Sequence, residues 1–190
     1  QPVYNEYYLC GSPQERLYLH GQWQEGLMPN LGCSSRDQAQ YQDFFSRMEE
    51  FKTVRGRDGK RSFAIPIDRS SRDAEFLRYD RMSMADYMAQ NGWDSEYLRW
   101  YVNYCCRDDY GCRMEDASAW AGIHYFASRV GGAANAGAQS LLTWPEGNAW
   151  LAQRMKARLR GGIRSGALVF NVEQNGKKMV VHYYDVVSQA

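Results

Sequence analysis

A chain of 190 residues with 44% apolar and 24% charged side chains can bury one hydrophobic core, or at most two small ones, and is too apolar for intrinsic disorder. Lys and Arg number 23 against 22 Asp and Glu, and the net charge of +1 leaves no global field to gather nucleic acid or an anionic membrane. No apolar run approaches the roughly 18–20 residues of a membrane span.

In chain order, Arg16–His20 and Gln22–Glu25 flank Gly21 and predict a hairpin. Ser34 or Ser35 caps a helix to about Phe51, on which Tyr41, Phe44, Phe45, Met48 and Phe51 form one apolar stripe. Gly56–Arg61 reads as a loop, Phe63–Ile67 as a short strand or extended piece ended by Pro66, and Asp73–Tyr79 as a helical turn. Ser83 caps a short helix to Gln90, Asp94 caps the next to about Cys106, and Glu115–Arg129 is a fourth. Val130–Ser140 is a loop of small residues, and Leu141–Trp144 a short strand. Asn148 caps a helix to Leu159, with Leu151, Met155 and Leu159 on one side.

Ala167–Glu173 and Lys177–Asp185 flank Gln174-Asn175-Gly176, where Asn-Gly suits a type I′ turn and Leu168, Phe170 and Val172 share a face. An isolated hairpin is marginal, so this one is expected to pair with a larger sheet. The pattern predicts a single α+β domain over residues 1–190, a mixed or antiparallel sheet packed by several helices. The chain opens on Gln1-Pro2-Val3-Tyr4, without an initiator Met or a signal-peptide pattern, and stops just after the hairpin. The expectation is a piece excised from a longer chain.

The familiar catalytic and phosphate-binding motifs are missing: G-x-G-x-x-G, the P-loop, H-E-x-x-H, G-x-S-x-G and paired C-x-x-C. The five cysteines, Cys10, Cys33, Cys105, Cys106 and Cys112, have no zinc spacing and read as reduced, mostly buried thiols. Tyr97, Trp100, Tyr101, Tyr104 and Cys105 share a helical face, which is either the aromatic wall of a ligand cavity or a core stripe. Asp108 and Asp109 read as solvated or paired with Arg107. His124 reads either as a cavity histidine or as a core histidine bonded to a backbone carbonyl. In Thr143–Leu151 a strand meets Pro145-Glu146-Gly147 and a new helix, a geometry that can sit against a cofactor or an anionic group. The bases Arg154–Arg164 read as a solvated helix face rather than a polyanion site.

Three strings carry a resemblance: Arg99–Gly111 (RWYVNYCCRDDYG), Ser118–Phe126 (SAWAGIHYF) and Thr143–Asn148 (TWPEGN). With Pro13-Gln14-Glu15-Arg16 and Asp68-Arg69-Ser70-Ser71-Arg72-Asp73, they resemble the middle part of bacterial FAD-dependent oxidoreductases of the flavin amine oxidase superfamily, which includes phytoene desaturases. The resemblance implies the inserted domain that covers the flavin and forms the substrate cavity. FAD would be held by a Rossmann-like domain elsewhere in the same chain. It also implies hydride transfer from a C–N or C–C bond of a small-molecule substrate.

The dinucleotide fingerprint is missing, so the 190 residues alone are expected to bind no FAD and to be inactive. Tyr101, Tyr104, His124, Trp144, Glu146 and Asn148 are the expected substrate-binding residues. Gly147 is the expected cofactor-facing turn, and no catalytic base or metal ligand is assigned. No nucleic-acid partner or membrane span is expected. Many proteins of the family that it resembles carry a twin-arginine signal, which is not visible here, and the compartment, cytoplasmic or periplasmic, stays open. The alternative is a non-catalytic module binding a small molecule or protein through an aromatic-lined pocket.

Overall fold

The computed structural model describes residues 2–10, 15–136 and 140–188. Pro13 and Gln14, residues 137–139 of the small-residue loop, and Gln189-Ala190 lie outside them. The chain is α+β and gathers into two compact units, Gln1–Leu142 and Thr143–Ala190.

In the first unit β1 (Leu9–Cys10) pairs with β4 (Leu141–Leu142), and β2 (Arg16–Leu19) pairs with β3 (Gln22–Glu25). The second pair is the expected hairpin, closed at His20-Gly21. All sheets among the described residues are antiparallel and two-stranded, so the helices carry the core instead of lining one large sheet.

Those helices are α1 (Ser35–Thr53), α2 (Ala74–Leu77), α3 (Met84–Gln90), α4 (Glu96–Tyr110) and α5 (Ala119–Ala127). Ser34 and Ser83 open α1 and α3 with reciprocal capping boxes to Asp37 and Asp86. At α4 the cap is Ser95, not Asp94. The Asp94 carboxylate is engaged by α1, accepting from Arg36 Nη2 at 2.7 Å and Gln40 Nε2 at 2.6 Å. Ser95 Oγ, one residue later, is free to take Leu98 N and to donate to Asp37 Oδ1 at 2.6 Å.

The fourth predicted helix starts later than its pattern suggests, with Ser118 as cap. The Met114 and Ala117 carbonyls accept from Ala85 N and Met84 N at 3.0 and 2.9 Å. They thereby serve the orphan donors of the first turn of α3 instead of continuing a helix. Helices α3 and α5 approach closely at Gly122, where a Cβ would lie 2.6 Å from Met84 Sδ.

The alternation of aromatic and sulfur-bearing residues fills the centre. Phe44, Met48, Phe63, Met84, Met88, Leu98, Val102 and Ile123 are fully buried. Phe44 meets Phe45, Trp93 and Phe126 edge-on, with centroids 5.1–5.3 Å apart. Trp93 Nε1 donates to Asp43 Oδ2 at 2.7 Å, which satisfies the one polar atom of that buried ring. Each such side chain contributes roughly 1.5–3 kcal/mol through burial.

The Gly56–Arg61 loop is organised by carboxylates. Asp58 accepts from Arg72 N, Lys60 N and Ser71 Oγ at 2.9–3.1 Å, and Asp73 accepts from Arg57 N and Glu75 N. These donors hold both carboxyls below their ordinary value, the Arg72 and Arg57 amides contributing most, and Ser34 does the same chiefly for Asp37. A carboxyl whose folded pKa is depressed binds its proton less readily in the folded state. The stability it contributes is present above the unfolded pKa and is lost as pH falls. The melting temperature is therefore expected to hold flat from neutrality to about pH 5 and to fall below the ordinary carboxyl value of 3.8. A pH series of thermal melts checks this, and Asp58→Asn should flatten part of the acid slope.

In the second unit α6 (Ala149–Lys156) precedes the hairpin of β5 (Ala167–Asn175) and β6 (Lys178–Asp185). The turn residues are Gly176 and Lys177 instead of Asn175-Gly176, because Asn175 pairs with Lys178. Gly176 at φ +60° takes the first central position, as a type II′ turn requires.

A register shift between Val169 and Asn171 leaves Phe170 as a bulge. The shift pairs Val169 with Tyr183 and Val172 with Val181, so Val172 moves to the face opposite Leu168 and Phe170. Phe170 instead meets Tyr184 at 4.7 Å.

Candidate functional site

The Gln1–Leu142 unit holds a cavity of about 650 Å³, within the range of small-molecule sites. Its aromatic wall is Phe45 of α1, Tyr101 of α4, and Tyr125 and Phe126 of α5. The rings stand 4.8–6.4 Å apart, and Phe126 lies in contact with the other three. Tyr4, Met48, Leu141 and Leu142 add apolar lining.

The polar groups are largely paired. Glu49 and Lys52 form an ion pair one helical turn apart. Arg129 Nη2 donates to Asp109 Oδ2 at 2.8 Å, Nη1 donates to the Tyr125 carbonyl, and the guanidinium lies 4.1 Å from the centre of the Tyr125 ring.

Behind the wall, burial pushes the Cys105 thiol up to about 11, with the neighbouring Tyr125 and Tyr101 hydroxyls opposing the rise. Burial likewise drives the phenols of Tyr101 and Tyr125 well above their ordinary range. At neutral pH all three keep their protons, so the wall offers hydrogen bonds and ring surface, not a base. This arrangement can stack and orient a planar, partly apolar molecule.

Of the residues expected from the sequence, Tyr101 lines the cavity. Tyr104 does not: it stacks on Trp100 at 5.8 Å and 12°. The buried centre of α4 is Leu98, Val102, Cys105 and Cys106, which leaves the aromatic residues along its flanks. Tyr97, on the same helix, hydrogen-bonds His20 Nε2 at 3.0 Å.

His124 is away from the cavity lining. Its Nε2 lies 2.9 Å from the Ala64 carbonyl, and its ring stacks on Trp120 at 5.0 Å. A carbonyl only accepts, so this nitrogen donates, and the histidine holds the Phe63–Ala64 segment to α5. That is the core arrangement weighed against a cavity role above.

Trp144, Glu146, Gly147 and Asn148 lie in the second unit. Gly147 N donates to the Trp144 carbonyl at 2.7 Å in a tight turn, and Trp144 stacks on Trp150 at 5.2 Å. Glu146 and Asn148 are exposed. Asn148 occupies the cap position of α6 without a side-chain cap bond, because its own backbone is already helical.

Sequence reasoning left out Phe45, Tyr125, Phe126 and Arg129 as cavity residues. The available signal is a pair of aromatic doublets, Phe44-Phe45 and Tyr125-Phe126. On a helix adjacent residues diverge by 100°, so Phe44 enters the core while Phe45 walls the cavity, whereas Tyr125 and Phe126, both half-buried, line it together.

Among the described residues no group of His, Cys, Asp and Glu could hold a metal ion. The strands make only antiparallel pairs, and serine side chains occupy first-turn donors of α1, α3, α4 and α5. Comparison with family models, curated proteins and solved structures finds no match.

Proposed function

We propose that this chain is the substrate-binding domain of an FAD-dependent oxidoreductase similar to the flavin amine oxidases, with FAD held by a separate domain of the same polypeptide. The supporting observation is in Thr143–Ala190. Not one of its described residues is buried, although Leu168, Phe170, Val172, Met179 and Val181 are apolar. A two-stranded hairpin with both faces bare is marginal by itself, and such surface calls for a covering partner. In the proteins that this sequence resembles, the corresponding strands lead into the FAD domain, which is the cover proposed here.

The domain's part is to hold a small-molecule substrate against Tyr101 and its neighbouring rings and to exclude water. For Trp144, Glu146 and Asn148 a substrate role, and for Gly147 a flavin-facing one, rest on the sequence resemblance alone.

A non-catalytic binding module is the second reading. It is favoured by a cavity whose lining cations are already paired. Visible absorption separates the two. The polypeptide encoded by the complete reading frame is expected to show flavin bands that residues 1–190 alone do not. A long form that stays colourless after addition of FAD would sink the flavin reading and leave the binding module.

A further inference from the structure

The bases Arg154–Arg164 read from the sequence as a solvated helix face, but the apolar residues among and just before them do not fit that description. Hydrogen bonds from Arg158 N to Met155 O and from Leu159 N to Lys156 O, at 3.0 and 3.1 Å, follow α6 with a tighter turn that leads into Leu159. Leu151 and Met155 lie one turn apart on α6, and Leu159 and Ile163 extend the apolar stripe in the segment that follows. Met155 is 70% exposed and Leu159 58%, and Ile163 beyond them is 59% exposed. By the 100° step of α6, Arg154 borders Leu151 and Met155 on one side and Lys156 lies on the other, while Arg158 and Arg160 are exposed in the turn that follows.

Residues 149–166 contain no Asp or Glu. Arg164 pairs with Asp185 at 2.8 Å, whereas among the described residues no carboxylate pairs with Arg154, Lys156, Arg158 or Arg160. Arg154 lies instead over the Trp150 ring, 4.7 Å from its centre.

We propose that Trp150–Arg164 docks on the surface of an anionic lipid bilayer, the stripe entering the headgroup–acyl boundary and the four cations meeting lipid phosphates. Long cationic side chains on both flanks of an apolar stripe can reach up to phosphates while their stems stay in the apolar layer. A nucleic acid would answer the charge but would leave Met155, Leu159 and Ile163 in water. The attraction is local, so it needs no large net charge. This inference goes beyond the flavin reading and does not depend on it.

The test is flotation of the complete polypeptide with vesicles of phosphatidylcholine, alone or with about one-third phosphatidylglycerol, at about 0.1 M salt. The anionic vesicles are expected to carry roughly 10-fold more protein or better, and the excess should largely vanish at about 0.5 M salt. Arg158→Glu with Arg160→Glu should abolish it. Met155→Ser with Leu159→Ser should also abolish it, which charge attraction alone would not produce. Both pairs are exposed, so unchanged circular dichroism validates the comparison.

Equal recovery on both vesicles, or recovery that survives the serine pair, would overturn the proposal. So would release by a nucleic-acid competitor at constant salt. A Met155→Cys thiol already shielded from alkylation before vesicles are added would also overturn it, by showing that a second copy or another part of the polypeptide covers the stripe.

Discussion

Replacing Phe44 with Ala is expected to lower the stability of the Gln1–Leu142 unit by about 3–5 kcal/mol, a large share of what a domain of this size has. The ring is fully buried. It meets three other rings edge-on: Phe45 from its own helix, Trp93 from the turn after α3, and Phe126 from α5. Truncation removes the transfer term and leaves a void that three elements would have to close together. Phe44→Leu keeps most of the volume and should cost less than about 2 kcal/mol.

Urea titration followed by tryptophan fluorescence measures both variants, and a loss under about 1 kcal/mol for the alanine would contradict the packing described. The effect reaches the candidate site, because Phe45 and Phe126 are at once partners of Phe44 and walls of the cavity. A ligand that stacks in the cavity should therefore bind the alanine variant more weakly, even where that variant remains folded.

The second large effect concerns the thiols. Burial pushes Cys105 up to about 11 and Cys106 up to about 12, against an ordinary 9.0. At pH 8 the thiolate is the reactive species, so its fraction falls roughly 100-fold at Cys105 and roughly 1000-fold at Cys106 before any steric protection. Iodoacetamide followed by peptide mapping should label Cys10 and Cys112 of the folded protein first, both being half-buried. Cys33 should follow more slowly, since burial and then the nearby Asp37 carboxylate raise its pKa. Cys105 and Cys106 should be labelled only on unfolding. Modification of Cys105 within about 10-fold of the unfolded rate would show that the thiol behind Tyr101 and Tyr125 is open to the cavity and reactive.

Helix positions were legible in the sequence because their determinants are local. Ser34 and Ser83, each followed three residues later by Asp, open α1 and α3, and the stripe Tyr41, Phe44, Met48, Phe51 is the buried side of α1. The hairpin at His20-Gly21 and the β5–β6 pair were legible for the same reason, as turn residues between runs of strand formers. The α+β class follows from these elements together.

What escaped depends on partners far away in the chain. Asp94 yields the cap of α4 to Ser95 because Arg36 and Gln40, more than fifty residues earlier, take its carboxylate. The bulge at Phe170 moves Val172 to the other face, which alternation alone does not show. His124 and Tyr101 both lie on helices rich in aromatic residues, yet one binds the Ala64 carbonyl and the other walls the cavity.

The sequence by itself determined where α1 and α3 begin, which residues are apolar and what is chemically missing, since these rest on local capping and composition. The tertiary structure alone decided which of two adjacent rings enters the core and which lines the cavity. A helix separates neighbours by 100°, and only the placement of α1, α4 and α5 around a shared centre says which direction is inside.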